Sequence, residues 1–534
     1  MTHRLMGLET EFCLRFSAAT SSEPSKQEVC LAILHAVERV VRAAPGERED
    51  YPNYQRFVQN GGAFTFETTS LASKDGLLES ATPECRSASQ LLLYQRAQEA
   101  LIRRALPIAR ARLDAAGYPG EITVVKNCRD AKGNVYGTQE NYEADIARGW
   151  RLLAYRVGLA VLLPLTAAIL LGLIVTTVLA ALFALVVVAA ILLVFPLARH
   201  WDWDVDIPVP LLRMAECALL AVLWPLALPF LFLLRATAFR EIRSGALAFF
   251  ISRPVVTGAG TLNNDGTFGL SERATSIAET IRSTPLQRRR AVFDIANFLK
   301  PLFLNEGSLV APVTALFSRR QRLQLGISDS NCAQTAEFLK IGTTALVIDM
   351  AEAGFLLDGP RVRRPVSALK RISNDPTLQA RVRLRRGGAM TAVQIQRWYL
   401  RRAEAFLAAQ RVASLESHEI VSLWRTTLDA LERDPSSLVG FIDWVTKQSL
   451  LQGPRPLGHA ARKKIDIKYH ELGSGYFSKL EREGLAPVRL STGDIWAAML
   501  RPPGNTPAWQ RGRTIRQAGA RRGKIPLSWR AASR

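Results

Sequence analysis

Residues 157–197 run for 41 positions without a charged side chain, and residues 217–234 add a second uncharged stretch of 18. Roughly 20 apolar residues cover the hydrocarbon core of a bilayer, so the first run alone exceeds one span. The pattern predicts membrane-inserted helices between two polar segments that are patterned like a globular protein. Buried helices of a large soluble core are the competing reading, and 41 uncharged residues argue against it. If the two polar segments fold together, the chain crosses the bilayer an even number of times. Arg148, Arg151 and Arg156 precede the insertion and Arg235, Arg240 and Arg243 follow it, whereas the loop between the runs carries Asp202, Asp204 and Asp206. That asymmetry puts both polar segments on the cytoplasmic side of a multi-pass cell-membrane protein. As one helix the first run would be about 60 Å long, twice the hydrocarbon thickness. It is either a long tilted or overhanging helix, or a hairpin turning near Thr176 and Thr177 with the second run at the interface. Two spans are expected.

In the first polar segment, residues 5–16 alternate as a strand, with Glu9 and Glu11 on one face and Leu8, Thr10, Phe12 and Leu14 on the other. Two carboxylates on one strand face make a hard-cation site; a solvated edge strand is the plainer reading for an isolated Glu-Thr-Glu. Residues 60–67 alternate likewise, Phe64 and Phe66 against Ala63, Thr65 and Glu67. Residues 79–85 read as a loop carrying Glu79 and Glu84, followed by a long helix from Ser87 to about Gly117. Carboxylates gathered from separate stretches suit Mg²⁺, which takes oxygen ligands and shares them with nucleotide phosphates.

Charge changes the picture of partners. The 534 residues hold 69 Lys and Arg against 47 Asp and Glu, a net charge of +22, concentrated in clusters such as 288–290, 319–322, 361–364, 381–386 and 511–534. Such a surface attracts polyanions. For a bilayer-anchored protein the nearest polyanion is its own lipid headgroups, at ~1 kcal/mol per basic residue near the surface. No zinc-finger, Walker or RNA-binding pattern accompanies the charge, so nucleic acid is the minor reading. The six cysteines form no C-x-x-C pair, so neither a disulfide framework nor a zinc site is encoded. No cleavable signal peptide is expected from the charged first 16 residues.

Several ordered segments resemble one family. Met6-Gly7-Leu8-Glu9-Thr10-Glu11-Phe12 is similar to the opening motif of the Pup ligase and Pup deamidase (proteasome accessory factor) family, whose members attach or remove a small ubiquitin-like modifier. Residues 126–142, from Lys126-Asn127 to Glu140-Asn141-Tyr142, resemble its K-N-N-x-D-x-x-G-x-x-Y-G-x-H-E-N-Y. Ser328-Asp329-Ser330-Asn331, residues 338–350, residues 431–435, Asp443-Trp444 and Arg511-Gly512 extend the likeness along nearly the whole chain except the insertion.

The resemblance implies an α+β fold: a glutamine synthetase-like antiparallel sheet cradle with packed helices, a small C-terminal domain and the inserted transmembrane helices. It divides the chain into a first catalytic part (1–149), the insertion (150–244), a second catalytic part (245–470) and a small C-terminal domain (471–534). It implies ATP and Mg²⁺ as cofactors. The partners it implies are a small acidic Pup-like protein, substrate lysines, the proteasome system and, through the insertion, membrane lipids. It makes Glu9 and Glu79 magnesium ligands with Glu11 in the same metal cluster, Thr82 and Trp529 nucleotide contacts, and Glu67 the catalytic carboxylate in place of an aspartate. An enzyme forming or cleaving an isopeptide or amide bond is expected; a catalytically impaired nucleotide- or modifier-binding membrane scaffold is the alternative. Glu67 carries one extra methylene, Gln139 stands where the family has histidine, and no D-E-P-H-A-D occurs between residues 293 and 318. Asp329 to Asn331 are expected to cap the helix that follows, with Gly354 as its stop.

Overall fold

The computed structural model describes residues 4–46, 54–68, 76–127, 129–130, 133–194, 224–283, 289–297, 313–453 and 457–518. Its framework is β1 (Met6–Ala18), β2 (Ala43–Pro45), β3 (Tyr54–Val58), β4 (Ala63–Thr68), β5 (Gly76–Ala81), β6 (Gly120–Lys126) and β7 (Thr138–Asp145). After a short β8 (Thr261–Leu262) and β9 (Phe268–Gly269) ribbon come β10 (Glu279–Arg282), β11 (Ala291–Asp294) and β12 (Arg320–Ser328). Ten of these form one sheet in the order β10-β11-β12-β7-β1-β5-β4-β3-β2, with β6 on the far half of β1. The sheet is mixed rather than purely antiparallel, because β10 and β11 run parallel.

Alternation in β1 sorts as its sequence dictates. Met6, Leu8, Phe12 and Leu14 are buried in the main core with Phe64 and Phe66 of β4, under α1 (Lys26–Val40) and α2 (Ala88–Ala115). α1 starts at a capping box: the Ser25 hydroxyl accepts from the Glu28 N–H, and the Glu28 carboxylate accepts from the Ser25 N–H at 2.7 Å. α2 begins where expected, Ser87 capping Gln90 at 3.1 Å.

Glu79 lies in β5 rather than in a loop. Its polar neighbourhood reads as irregular, but β5 is held by ladders on both sides, β1 and β4, and ends only before Pro83. Asp329 to Asn331 also depart from expectation. The helix Gln334–Glu352 has Ala333 at its N-cap, and the Asp443 carboxylate accepts from the N–H groups of Cys332 and Ala333 at 3.0 Å each. Asp329 instead accepts from Ala259 and Arg273, both at 2.8 Å. A capping carboxylate can come from anywhere in the fold, which local spacing does not reveal. Gly354, at φ 80°, ends this helix as expected. Residues 468–472 are the end of the helix His459–Tyr469 followed by a bridge from Glu471 to Val125.

Beneath the sheet, Glu99 of α2 sits between Arg96 at 2.7 Å and Lys126 at 2.6 Å. Burial pushes its pKa up, but the two cations outweigh burial and bring it from 4.5 to about 2. A depressed carboxylate contributes stability that is fully present above its unfolded pKa and is lost as pH falls through the folded one. The contribution therefore fades between about pH 4.5 and pH 2. Glu99→Gln is expected to lower stability at neutral pH and to flatten this acid limb, read from melts at pH 7 and pH 3. An unchanged acid limb would remove Glu99 from the account.

In the insertion, α3 (Trp150–Val194) is a single helix of 45 residues, about 67 Å at ~1.5 Å per residue. This is the long-helix form, without a turn at Thr176, whose hydroxyl donates to the Gly172 carbonyl one turn back at 2.7 Å. Residues Trp150–Thr176 are the one described stretch long and apolar enough to cross a membrane, and only 6% of an apolar 18-residue segment within it is buried. The second apolar helix, α4 (Trp224–Thr237), is shorter and leads into α5 (Arg240–Ser252).

Candidate active site

Register decides which carboxylates meet. Across β1 and β5, Glu9 faces Ala81 and Glu11 faces Glu79; across β5 and β4, Glu79 faces Thr65 and Leu77 faces Glu67; across β1 and β7, Glu9 faces Gln139. Cross-strand partners share a face and side chains alternate. Glu9, Glu11, Glu67, Glu79 and Gln139 therefore all stand on the sheet face away from α1 and α2. Directly opposed Cβ atoms lie about 5 Å apart and diagonal ones about 7–8 Å, within reach of glutamate side chains. Glu9 is diagonal to Glu79, and Glu79 to Glu67. The same parity brings Gln324 and Arg322 of β12, opposite Asn141 and Glu143, and Asp294 of β11, opposite Gln324, onto this face.

The cluster already contains cations. Arg273, on the turn of helix Glu272–Ser276, grips both oxygens of Glu11 at 2.5 and 3.2 Å, and Gly137 N–H donates to the same carboxylate at 3.1 Å. Burial raises the Glu11 pKa, and Arg273 more than offsets it, leaving the group ionised and below the usual carboxylate range. Arg322 donates to Glu9 at 2.9 Å and Gln324 donates to its other oxygen at 3.3 Å. Gln139, in the histidine position, donates to Glu11 at 3.3 Å and accepts from Gln324. Among the described residues no three carboxylate, imidazole or thiol groups converge as a ready-made ion site.

Magnitudes separate the two arginine pairs. Glu9–Arg322 is partly exposed, with side chains 20% and 43% accessible, and such pairs contribute at most about 1 kcal/mol. Glu11–Arg273 is buried at both ends, and breaking such a pair by removing one partner costs about 3–5 kcal/mol. Glu9 can exchange its partner; Glu11 is fixed. Arg273→Met is expected to destabilise the protein by about 3–5 kcal/mol, measured by denaturation in detergent. Adding Glu11→Gln should restore most of that loss; a double variant no better than the single would show that Arg273 acts through other contacts.

The rim is built by distant chain. Asn60, Gly61 and Gly62 form the β3–β4 turn, with Gly61 at φ 87° and Asn60 accepting from Gly62 N–H at 2.9 Å. Arg511, in helix Pro507–Ala518, donates to the Gly61 carbonyl at 2.7 Å and to Glu84 at 2.6 Å. Gly512 must lack a side chain here, because a Cβ would lie 2.5 Å from the Gln59 carbonyl oxygen. Thr82 is buried, its hydroxyl accepting from Leu8 N–H at 3.0 Å. Trp529 lies outside the described residues.

Sequence reasoning missed Arg273, Arg322 and Gln324 as parts of the site. Strand parity shows that Arg322 and Gln324 share a face, but a bulge between Leu325 and Ser328 reverses which face that is, and no local signal aims Arg273 at Glu11, 262 positions away.

An α+β fold whose central strands carry a carboxylate row, closed by a C-terminal helix, matches known proteins. Residues 4–533 match the Pup-ligase protein family, and the chain belongs to that family. It is 26% identical over 529 residues to the Pup–protein ligase of Paenarthrobacter aurescens (strain TC1), covering 97% of this chain and 90% of that one. It is 33% identical over 301 residues to the depupylase of Acidothermus cellulolyticus, covering 54% of this chain and 57% of that one. Among solved structures, the complex of the prokaryotic ubiquitin-like protein Pup with its ligase PafA aligns at a TM-score of 0.67 and 21% identity over 99% of this chain and 86% of that one. PafA in complex with ADP aligns at a TM-score of 0.62 and 20% identity, over 96% and 88%.

Proposed function

We propose that this chain is a membrane-anchored, ATP- and Mg²⁺-dependent enzyme. It either joins the side-chain carboxylate of the C-terminal glutamate of a small acidic Pup-like protein to a substrate lysine amine, with ATP going to ADP and phosphate, or hydrolyses with water an isopeptide or amide bond at that C-terminal glutamate or glutamine. The observation that carries the reading is the register placing Glu9, Glu79 and Glu67 along one line of the sheet face. Their oxygen-only donor set suits a hard divalent ion. Glu9 and Glu79 are the groups that would hold it, since Glu11 is committed to Arg273. When bound, Mg²⁺ and ATP supply the charge neutralisation and the phosphate that turn a carboxylate oxygen into a leaving group.

The remaining work belongs to the chain. Arg322, released from Glu9, has a cation to offer a phosphate oxygen on the same face. Glu11, held by Arg273, keeps a fixed negative charge under the site. Glu67, diagonal to Glu79, is placed to accept the proton that the attacking lysine amine must lose. Its extra methylene relative to aspartate shifts that oxygen by about 1 Å, a displacement that can cost ~100-fold in rate. The net charge of +22 favours an acidic modifier over a small neutral substrate.

The membrane location rests on the long uncharged run of α3 from residue 157 onward and on the arginines that flank it. A scaffold without turnover is the second reading, favoured by the arginines already seated on Glu9 and Glu11. ATP turnover by the purified chain in detergent, with Mg²⁺ and the modifier, separates the two. Modifier-stimulated turnover that Glu67→Ala lowers by at least about 100-fold supports the enzyme. Equal background rates for both proteins support the scaffold.

A further inference from the structure

The base of the insertion is packed into the catalytic fold. β7 ends at Asp145 and α3 begins at Trp150, and the first of the four residues between them, Ile146, is clamped on both sides: its N–H donates to the Arg319 carbonyl at 2.9 Å and its carbonyl accepts from Phe239 N–H at 2.5 Å. The base of α3 is itself core. Tyr155 and Leu159 are fully buried, and the Tyr155 hydroxyl donates to the Leu316 carbonyl at 2.9 Å. Arg151 pairs with Glu241 of α5 at 2.6 Å. α4 returns against α3 so closely that a Cβ on Gly158 would lie 2.6 Å from Leu233, and Phe230 and Leu234 enter the same core.

Arginines cluster beside this base and form a cationic belt with Arg151 and Arg156 of α3. Arg148, Arg319 and Arg320 converge on the Asp145 carboxylate at 2.7, 2.6 and 3.2 Å, with side chains 40–52% exposed. Beyond these arginines the described side chains of the insertion are apolar and exposed, with Phe183 71% and Phe232 78% accessible. Cationic belt below and uncovered apolar helix above is the profile of a bilayer interface. Gln139 of the cradle is on the strand that becomes α3, so the chain path from it to the first position of the uncharged run is at most about 50 Å.

We infer that α3 and α4 form a rigid bracket holding the cradle at one height above the bilayer, and that the enzyme's substrate class is therefore lysines of membrane-bound proteins close to the lipid surface. This rests on the ligase reading above. A cradle on a flexible linker would sweep a deep shell of solution; a bracketed one raises the effective concentration only of amines held in its own layer.

The full chain in anionic vesicles, with ATP, Mg²⁺ and the modifier, is given one lysine peptide in three forms. The first is soluble. The second is lipid-anchored through a 20-residue Gly/Ser tether, reaching about 25 Å. The third is lipid-anchored on a ~70-residue helical spacer, about 100 Å above the surface. Conjugation of the short-tethered form at least about tenfold faster than the other two is expected. Equal rates for the two anchored forms, or no gain over the soluble one, overturn the inference. In detergent all three should react alike; no conjugation there by any form sinks the ligase reading instead. The bracket is still tested in that case by energy transfer from a dye at Asn134→Cys to lipid-phase acceptors: one narrow distance supports it, and a broad distribution overturns it.

Discussion

Glu79→Ala is expected to lower modifier-stimulated ATP turnover by more than about 100-fold, because even outer-shell partners of a metal account for 10–100-fold and Glu79 is proposed as a direct ligand. Glu9→Ala should act in the same direction, with the apparent Mg²⁺ requirement raised in both. Glu79 points into the cradle rather than into the packed core, so the melting temperature should move little. Glu11→Gln should show the converse, a stability loss larger than its effect on Mg²⁺ dependence, since that carboxylate is buried on Arg273. A Glu79→Ala protein that turns over ATP like wild type, with an unchanged Mg²⁺ profile, would contradict the site.

The second large effect concerns location. Replacing residues 168–225 by a short Gly/Ser turn removes most of the exposed apolar surface of α3 while keeping Tyr155, Leu159, Phe230 and Leu234, which belong to the core. The shortened protein is expected to partition almost wholly from membranes into the soluble fraction, since each fully buried large apolar side chain gains about 1.5–3 kcal/mol from leaving water. Its turnover in solution should stay within about twofold of the full chain in detergent, because the cradle residues are untouched. Full-length protein that is soluble and monomeric without detergent would contradict the anchor.

Much of the cradle is legible in the chain because a strand's period is two. Glu9 and Glu11 against Leu8, Phe12 and Leu14 fixes which side of β1 faces the core, and Phe64 and Phe66 do the same for β4. Ser87 marks the start of α2 and Gly354 the end of helix Gln334–Glu352 for equally local reasons, a cap and a left-handed residue. Partners brought in from afar are not legible. Glu79 reads as loop because its strand is held by neighbours on both sides rather than by its own propensity. The capping of Ala333 by Asp443, and of Arg273 by Asp329, depends on which elements pack together. The cations on Glu9 and Glu11 arrive from β12 and from a five-residue helix, and nothing in their local sequence distinguishes them from the chain's other arginines.

The most direct test is mass spectrometry of a lysine-bearing protein after incubation with the purified full chain, ATP, Mg²⁺ and a Pup-like modifier ending in glutamate. The expected result is a new isopeptide bond between the modifier's terminal side chain and a lysine, formed only with ATP and absent with Glu79→Ala; supplied with the conjugate instead, the chain should release the modifier. Neither bond formation nor release under these conditions, with the protein folded and ATP present, would contradict the enzyme and leave the membrane scaffold.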